Sequence, residues 1–260
     1  MKNSKLPLLS FSEQDESRRR MNVYLLEQSL VDVPSQDDWL STSEAACLAR
    51  MRFEKRRTDW RLGRWAAKRA IATHLRLPTV PHALAEIEIR PAPSGAPEAL
   101  LRGHPAGIAI SLSHRAGTAL CAIADSRAAL GCDLEIAEPR SEAFIADYFT
   151  AEEQELVYRS DPELRSQLLA LLWSAKESAL KALCIGLRVD TRSLTVNLMD
   201  HPIQLAQSSP SGGDQWHPLR VSFGADRLFE GWWRHAYLLL QTVISTPPPF
   251  QPTSLVLATT

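Results

Sequence analysis

The segment Gly131-Cys132-Asp133-Leu134-Glu135-Ile136 alternates apolar and acidic residues, as a β-strand with one buried face does. Asp133 and Glu135 then lie on the same face, two residues apart. Carboxylates that close repel each other, which favours a cation between them. Mg²⁺ suits this position, because it binds one or two carboxylates and takes phosphate oxygens at its remaining positions. The alternative is a solvated face on a strand at the edge of a sheet.

A helix is predicted further along the chain by Trp173-Ser174-Ala175-Lys176-Glu177-Ser178-Ala179-Leu180-Lys181-Ala182. Trp173, Glu177 and Lys181 are spaced by four residues and form one stripe of that helix. In the functional interpretation, Glu177 is a third carboxylate for the metal and Lys181 contacts a phosphate or a leaving group. In the alternative, the stripe is an ordinary amphipathic face whose Glu–Lys pair contributes ~0.3–0.5 kcal/mol.

Outside these segments, the predicted strands and helices follow an order that occurs twice, which indicates two similar α/β halves. The repeat is one of element order only, without similarity between individual residues. The predicted strands are 21–30, 86–90, 107–112, 118–124, 128–136, 194–198, 219–223 and 236–244. The predicted helices are 58–77 (ended by Pro78 and Pro81), 164–183 (ended by Gly186) and two that begin at the capping boxes Ser41-x-x-Glu44 and Thr150-x-x-Glu153.

Four parts of the chain are expected. They are a flexible N-terminal tail at 1–20, an N-terminal lobe at 21–126, a C-terminal lobe with the metal-site motifs at 127–245 and a Pro-rich tail at 246–260. The second tail is expected because the prolines after Thr246 cannot continue a sheet or a helix. A surface turn is expected at 208–213.

Charge and composition exclude several classes of protein. The 260 residues carry 29 Lys and Arg against 30 Asp and Glu, so the net charge of −1 disfavours a globally basic nucleic-acid or membrane binder. No apolar run is long enough to span a membrane, and no secretory segment is recognisable. Four cysteines without a C-x-x-C spacing argue against a zinc site or a disulfide framework. The sequence therefore predicts a cytoplasmic protein with reduced thiols.

Basic residues are concentrated between Arg50 and Arg69, where nine Lys and Arg face only two acidic residues. Such a cluster suits a multiply phosphorylated ligand, because Arg pairs with phosphate through two hydrogen bonds. Ser113-His114 is predicted to lie at a turn between two strands, where backbone N–H groups can bind an anion. The plainer alternatives are a solvated helix surface and an exposed histidine.

In this order, the segments around Ser113-His114, Asp133-Leu134-Glu135 and Trp173–Lys181 resemble the motif set of the 4′-phosphopantetheinyl transferase family, in its Sfp-like two-lobed branch. Phe149-Thr150-x-x-Glu153 is similar to the family's segment before that helix, and Arg56-Arg57…Leu62-Gly63-Arg64 is similar to its basic N-terminal motif. The resemblance covers roughly residues 21 to 244.

The resemblance implies an α+β fold of two pseudo-symmetric α/β lobes, each a small, mainly antiparallel sheet packed with helices, with the site between them. It implies a monomeric enzyme that takes coenzyme A as co-substrate and an apo carrier protein as partner, binds neither nucleic acid nor membrane, and needs Mg²⁺. The implied metal ligands are Asp133, Glu135 and Glu177. The implied residues for binding coenzyme A are Arg56, Arg57, Arg64, Ser113, His114, Lys176 and Lys181. The implied catalytic residues are Asp133, Lys181 and Glu177, the last being the base either directly or through a water on the metal.

One position departs from the family pattern. Gly95-Ala96-Pro97 lies where many members have Gly-Lys-Pro, so that the contact from this lysine is missing at Ala96; Arg90 or Arg102 is the conjectured replacement. Replacing Asp133 with alanine is expected to abolish metal binding and turnover with the fold intact.

Two alternatives stay open, a Mg²⁺-dependent nuclease or phosphodiesterase and a nucleic-acid-binding module that uses residues 50–69. The sequence does not determine whether a fatty-acid, polyketide or nonribosomal-peptide carrier is served.

Overall fold

The computed structural model describes residues 20–199, 215–224, 227–236 and 238–257. The predicted N-terminal tail up to residue 19 and the predicted turn at 208–213 lie outside this part of the chain. The strands are β1 (Tyr24–Ser29), β2 (Ile87–Pro91), β3 (Pro97–Leu101), β4 (His104–Pro105), β5 (Ile108–Arg115), β6 (Thr118–Asp125), β7 (Ala129–Ile136), β8 (Leu194–Leu198), β9 (His217–Phe223), β10 (Arg227–Ala236), β11 (Leu239–Thr246) and β12 (Thr253–Ser254). The helices are α1 (Thr42–Ala49), α2 (Glu54–His74), α3 (Pro81–Ala85), α4 (Glu142–Tyr148), α5 (Ala151–Arg159) and α6 (Arg165–Ala182).

These strands form sheets that are almost entirely antiparallel, so the expected α+β class is confirmed. The N-terminal half contains the order β12-β1-β6-β5 and a small sheet, β2-β3-β4. The C-terminal half contains the order β7-β11-β10-β9-β8. Within the described strands, only the pairing of β12 with β1 is parallel. The expected boundary between residues 126 and 127 falls in the turn between β6 and β7.

Both faces of the central strands β6, β7 and β11 are largely buried, because these strands alternate between two cores. In β6, Ala119, Cys121 and Ile123 join a core that includes α2. Leu120 and Ala122, on the opposite face, pack against residues of β7 and β11 from the other sheet. The remaining face of the second sheet packs on α6. The layers therefore run helix, sheet, sheet, helix, and β7 lies inside the molecule.

A buried ion pair occurs once in each half, so the repeat extends to individual residues and the expectation of similarity in element order only is wrong. In the N-terminal half, Nζ of Lys68 on α2 lies 2.5 Å from Oε2 of Glu44 on α1. In the C-terminal half, Nζ of Lys176 on α6 lies 2.7 Å from Oε2 of Glu153 on α5. None of these four side chains is more than 3% exposed.

The surroundings of the two pairs also correspond. Each glutamate closes the capping box of its helix, with Ser41 in one half and Thr150 in the other. Its second oxygen accepts a backbone N–H from a strand, Ile89 at 3.0 Å or Val196 at 2.9 Å. Each lysine donates to two further backbone carbonyls. Two charges can be buried here because almost every donor and acceptor has a partner.

We expect Thr150→Ala and Ser41→Ala to lower the free energy of unfolding by similar amounts, about 1 kcal/mol each, because each removes the side-chain cap of an equivalent helix. Urea denaturation followed by circular dichroism measures this. A loss of stability in only one of the two variants would contradict the equivalence of the two helices.

Residues 246–257 are not a separate tail, contrary to the expectation from their prolines. The backbone N–H of Thr253 donates to the carbonyl of Val23 at 3.0 Å, and that of Leu255 donates to the carbonyl of Leu25 at 2.7 Å. The prolines lack an N–H group, but Thr253 and Leu255 follow the last of them and supply the donors. The segment therefore returns to the N-terminal sheet as β12.

Two helices end differently from the prediction. Arg76 after α2 and Cys184 after α6 both adopt the left-handed conformation with φ of 56°. The following N–H groups bond back to the helix, which is the Schellman arrangement. Pro78 and Gly186 are thus not the residues that end these helices. Helix α4 and strands β3 and β10 had no counterpart in the prediction.

The four cysteines differ in exposure, which predicts their reactivity. Cys47 and Cys184 are exposed, whereas Cys121 and Cys132 are buried. Burial raises the pKa of Cys132 to about 11 and that of Cys121 well above its ordinary value. Because the thiolate is the reactive form, we expect a thiol reagent at pH 8 to label two cysteines rapidly and the other two only after denaturation. Rapid labelling of all four in the native protein, measured by absorbance, would contradict this burial.

Candidate active site

Strand β7 is covered along both of its edges. Its backbone pairs with β11 on one side. On the other side, two serines of β5 accept its N–H groups: Cys132 donates to Oγ of Ser111 at 3.0 Å, and Leu134 donates to Oγ of Ser113 at 3.2 Å. Asp133 is consequently only 5% exposed. The alternative of a solvated edge face is wrong for this residue.

Asp133 is held between the two halves by Lys181 and Ser113. Its Oδ1 accepts from Nζ of Lys181 and from Oγ of Ser113, both at 2.7 Å. Burial acts to lower the pKa of Lys181, but the charge of Asp133 and its neighbours outweighs burial and raises this pKa. The other oxygen, Oδ2, is buried without a hydrogen-bond partner among the described residues. Asp133 therefore retains one unsatisfied acceptor.

Glu135 lies on the same strand and is paired with arginines. Its Oε2 is 3.3 Å from the Arg140 guanidinium and 3.6 Å from Nε of Arg115. Burial, followed by the charge of Asp133, nevertheless raises its pKa. The two arginines thus compensate the local negative charge only in part.

Glu177 comes to the same region from α6 and is half-buried. Burial raises its pKa, the charge of Asp133 raises it further, and Glu135 adds to the effect. The three predicted ligands therefore influence one another electrostatically. In the part of the chain that the structure describes, no group of three or more His, Cys, Asp and Glu is arranged so as to hold a metal ion. Asp133 pairs instead with Lys181, and Glu135 pairs with Arg115 and Arg140.

The chemistry of these carboxylates fits a hard divalent cation. Asp133 has a buried oxygen without a partner among the described residues, and burial, followed by the charge of Asp133, raises the pKa values of Glu135 and Glu177. The potential ligands are all carboxylate oxygens, which Mg²⁺ prefers. Lys181, predicted as a phosphate contact, lies at the same place.

Ser113 and His114 do not lie at a turn, contrary to the prediction. Strand β5 continues through Arg115, and both residues pair with β6. The turn consists of Ala116 and Gly117, whose φ values of 48° and 78° are typical of a tight two-residue hairpin. The Ser113 hydroxyl is used by Asp133, so its predicted role in binding the cofactor is replaced by one in positioning the strand. His114 is exposed.

A basic cleft joins α2 to β5 and contains three of the predicted ligand-binding residues. Arg56, Arg64 and His114 line a cavity of about 580 Å³ together with Trp60. The Arg64 guanidinium lies 4.2 Å from the centre of the Trp60 ring, and burial lowers its pKa. A guanidinium fixed on a ring and next to a histidine is well placed for an anionic group.

Two predicted ligand-binding residues serve the fold instead. Lys176 has no exposed side-chain surface and is fully occupied by Glu153 and two carbonyls, so it cannot contact a ligand. Arg57 donates to the carbonyls of Leu48 and Met51 at the end of α1. We remove both from the candidate set.

A second cavity, of about 500 Å³, lies between the halves. Its walls include the loop Gly95-Ala96-Pro97, parts of β5 and β7, and the end of α6 with Lys181. Arg90 and Arg102 do not line it and pair with Glu98 and Glu86. Arg188, which the sequence interpretation missed, does line it. Leu112 of β5 borders both this cavity and the basic cleft.

A family model matches part of this chain. Among the described residues, no helix is long and apolar enough to cross a membrane. A search of curated proteins finds no match. The family model described as the 4′-phosphopantetheinyl transferase superfamily matches residues 129–224, which contain the carboxylate strand and helix α6, and the mixed, antiparallel fold is consistent with that of these transferases.

Proposed function

We propose that the protein transfers the 4′-phosphopantetheine group of coenzyme A to a serine of an apo acyl- or peptidyl-carrier protein and releases adenosine 3′,5′-bisphosphate. The family match supports phosphopantetheine transfer in general. The observation that carries the proposal is the ion pair of Lys181 with Asp133 at 2.7 Å, in the wall of the cavity between the halves and on the helix and strand that also carry Glu177 and Glu135. Phosphoryl chemistry relies on such a combination of carboxylates and cations.

Asp133, Glu135 and Glu177 would hold Mg²⁺ in this proposal. When bound, the ion neutralises negative charge on the diphosphate of coenzyme A. Lys181 would interact with that diphosphate, since it reaches the carboxylates from the wall of the cavity between the halves. The basic cleft with Arg56, Arg64 and His114 would bind the remaining phosphate of the coenzyme.

Glu177 is the base that we propose. In the reaction, the carrier serine oxygen forms a bond to phosphorus, and the bond from that phosphorus to the adenosine bisphosphate oxygen breaks. The serine proton passes to the Glu177 carboxylate. The raised pKa of Glu177 suits this role, because a base works best when its pKa approaches the working pH.

The alternative of a nucleic-acid-binding module is disfavoured by the placement of the basic residues. Lys68 is buried, Arg57 binds the end of α1, and Arg61 pairs with Asp37 at 2.8 Å. The run from 50 to 69 therefore does not form one continuous basic surface. A Mg²⁺-dependent nuclease is the other alternative, and it would not use coenzyme A.

The proposal is tested by incubating a panel of apo carrier proteins with the purified protein, coenzyme A and Mg²⁺. We expect a phosphopantetheine mass gain on at least one carrier by mass spectrometry, and the order of preference would indicate which pathway is served. Leaving out Mg²⁺ or coenzyme A should abolish the gain. If no carrier is modified and nucleotides are released from DNA or RNA, the nuclease is favoured instead.

A further inference from the structure

Glu135 is contacted by one arginine from each half of the molecule. Arg115 ends β5 in the N-terminal half, and its Nε lies 3.6 Å from Oε2 of Glu135. Arg140 follows β7 in the C-terminal half, and its guanidinium lies 3.3 Å from the same oxygen. The Glu135 side chain is only 12% exposed, against 35% and 25% for the two arginines. A nearly buried carboxylate thus has its countercharges on the solvent side.

Each arginine has a second support that keeps it beside Glu135. Arg115 also pairs with Glu138 at 2.9 Å, and its buried Nε makes no hydrogen bond within the described residues. The Arg140 guanidinium lies 5.1 Å from the centre of the Phe144 ring. These supports would hold both guanidiniums nearby if Glu135 turned to another cation.

We propose that Arg115 and Arg140 are resident countercations of Glu135, which a divalent ion must displace in order to bind this carboxylate. The inference rests on the proposed function, since it assumes that the carboxylates bind an ion. Without the arginines, Glu135 would face Asp133 two residues away with no cation at its own oxygens. With them, the carboxylate is held in place, at the cost of competition for its Oε2.

Competition and a purely structural role predict different changes in ion affinity when the arginines are replaced. If the arginines only support the fold, replacing them leaves ion affinity unchanged or weakens it, because the ligand loses its position. If they compete, replacing them strengthens ion binding. Arg140→Gln and Arg115→Gln each remove one competitor and keep hydrogen-bonding capacity.

The test is titration of the full-length protein with Mn²⁺, followed by electron paramagnetic resonance, without coenzyme A. We expect each variant to bind Mn²⁺ roughly three- to fivefold more tightly than the unaltered protein, which is the size expected for removal of one partly exposed ion pair. Arg115→Lys and Arg140→Lys, which keep the charge, should return the affinity towards the original value. Arg192→Gln is the matched control, because Arg192 pairs with Asp190 at the surface and contacts none of the three carboxylates.

The outcomes separate the inference from the proposed function. Equal or weaker Mn²⁺ binding by both glutamine variants, with the unaltered protein binding the ion, overturns only the competition. An equal increase in Mn²⁺ affinity in Arg192→Gln also overturns it, since the change in the net charge of the protein would then be the cause. Absence of Mn²⁺ binding by the unaltered protein overturns both the competition and the metal dependence. If one variant fails to fold, the other carries the same expectation.

Discussion

Replacing Gly131 with alanine is expected to lower the free energy of unfolding by roughly 3 kcal/mol or more, at the upper end of what overpacking costs. A Cβ at this position would lie 1.8 Å from the backbone oxygen of Ser178 and 2.9 Å from the backbone nitrogen of Ala182. These are helix atoms and cannot rotate away as a side chain does. To admit the methyl group, α6 must move off the sheet, and α6 carries Glu177 and Lys181. Circular dichroism during thermal denaturation measures the loss.

Gly63→Ala is the control for this prediction. Nothing lies within 4 Å of a Cβ at Gly63, and the residue lies inside helix α2, where alanine is favoured over glycine by roughly 0.5–1 kcal/mol. The same substitution should therefore leave stability unchanged or raise it. A Gly131→Ala protein as stable as the original would show that α6 does not press on β7.

The sequence was sufficient to place the carboxylates on one strand and Glu177 with Lys181 on one helix, because both inferences depend only on the period of the element. It could not show how closely the two elements approach. That distance depends on the absence of a side chain at Gly131. The strand pattern alone does not distinguish this glycine from other residues of the strand. The buried oxygen of Asp133 follows from the same approach, together with the serines of β5.

The repeat of the two halves is also visible in the sequence. Trp65-Ala66-Ala67-Lys68 and Trp173-Ser174-Ala175-Lys176 share a Trp-x-Ala-Lys pattern, and each follows a capping box by a similar number of residues. The repeat explains why Lys176 is buried, since its counterpart Lys68 is buried in the same way. The position of Lys176 beside Glu177 predicts a ligand contact, whereas the repeated pattern indicates a structural role.

Other features could not be inferred from local pattern. The position of His114 between two apolar runs predicts a turn, but the turn consists only of Ala116 and Gly117, so that β5 continues through His114 to Arg115. The C-terminal prolines correctly indicated a break after β11. The return of the chain to β1 depends on a contact between the two ends of the sequence, which has no local signal.

Replacing Asp133 with asparagine is expected to lower kcat/KM for carrier modification by at least ~100-fold. An effect of this size is typical of metal sites that lose a charged ligand and the orientation of the residues around it. Asparagine keeps the shape, so the hydrogen bond from Ser113 can persist. The negative charge that faces Lys181 at 2.7 Å is lost, and so is a carboxylate from the proposed ion site. Mn²⁺ affinity should fall together with activity.

The structure also changes the expectation for the fold in this experiment. The sequence alone predicts an intact fold for Asp133→Ala. Asp133 is 5% exposed and pairs with Lys181, so alanine would remove both the partner of a partly buried ammonium group and the acceptor of Ser113. Asparagine is therefore the better variant, and we expect it to lower the free energy of unfolding by about 1–3 kcal/mol.

Asp125→Asn is the matched control, because Asp125 makes an exposed pair with Arg127 at 3.0 Å at the end of β6. It removes the same charge without reaching the carboxylates, and we expect normal kcat/KM and Mn²⁺ affinity. An Asp133→Asn protein that is folded, binds Mn²⁺ normally and modifies the carrier at the original rate would exclude Asp133 from the chemistry. A folded variant that has lost activity but keeps Mn²⁺ affinity would instead limit Asp133 to holding Lys181, so ion binding separates the two roles of this carboxylate.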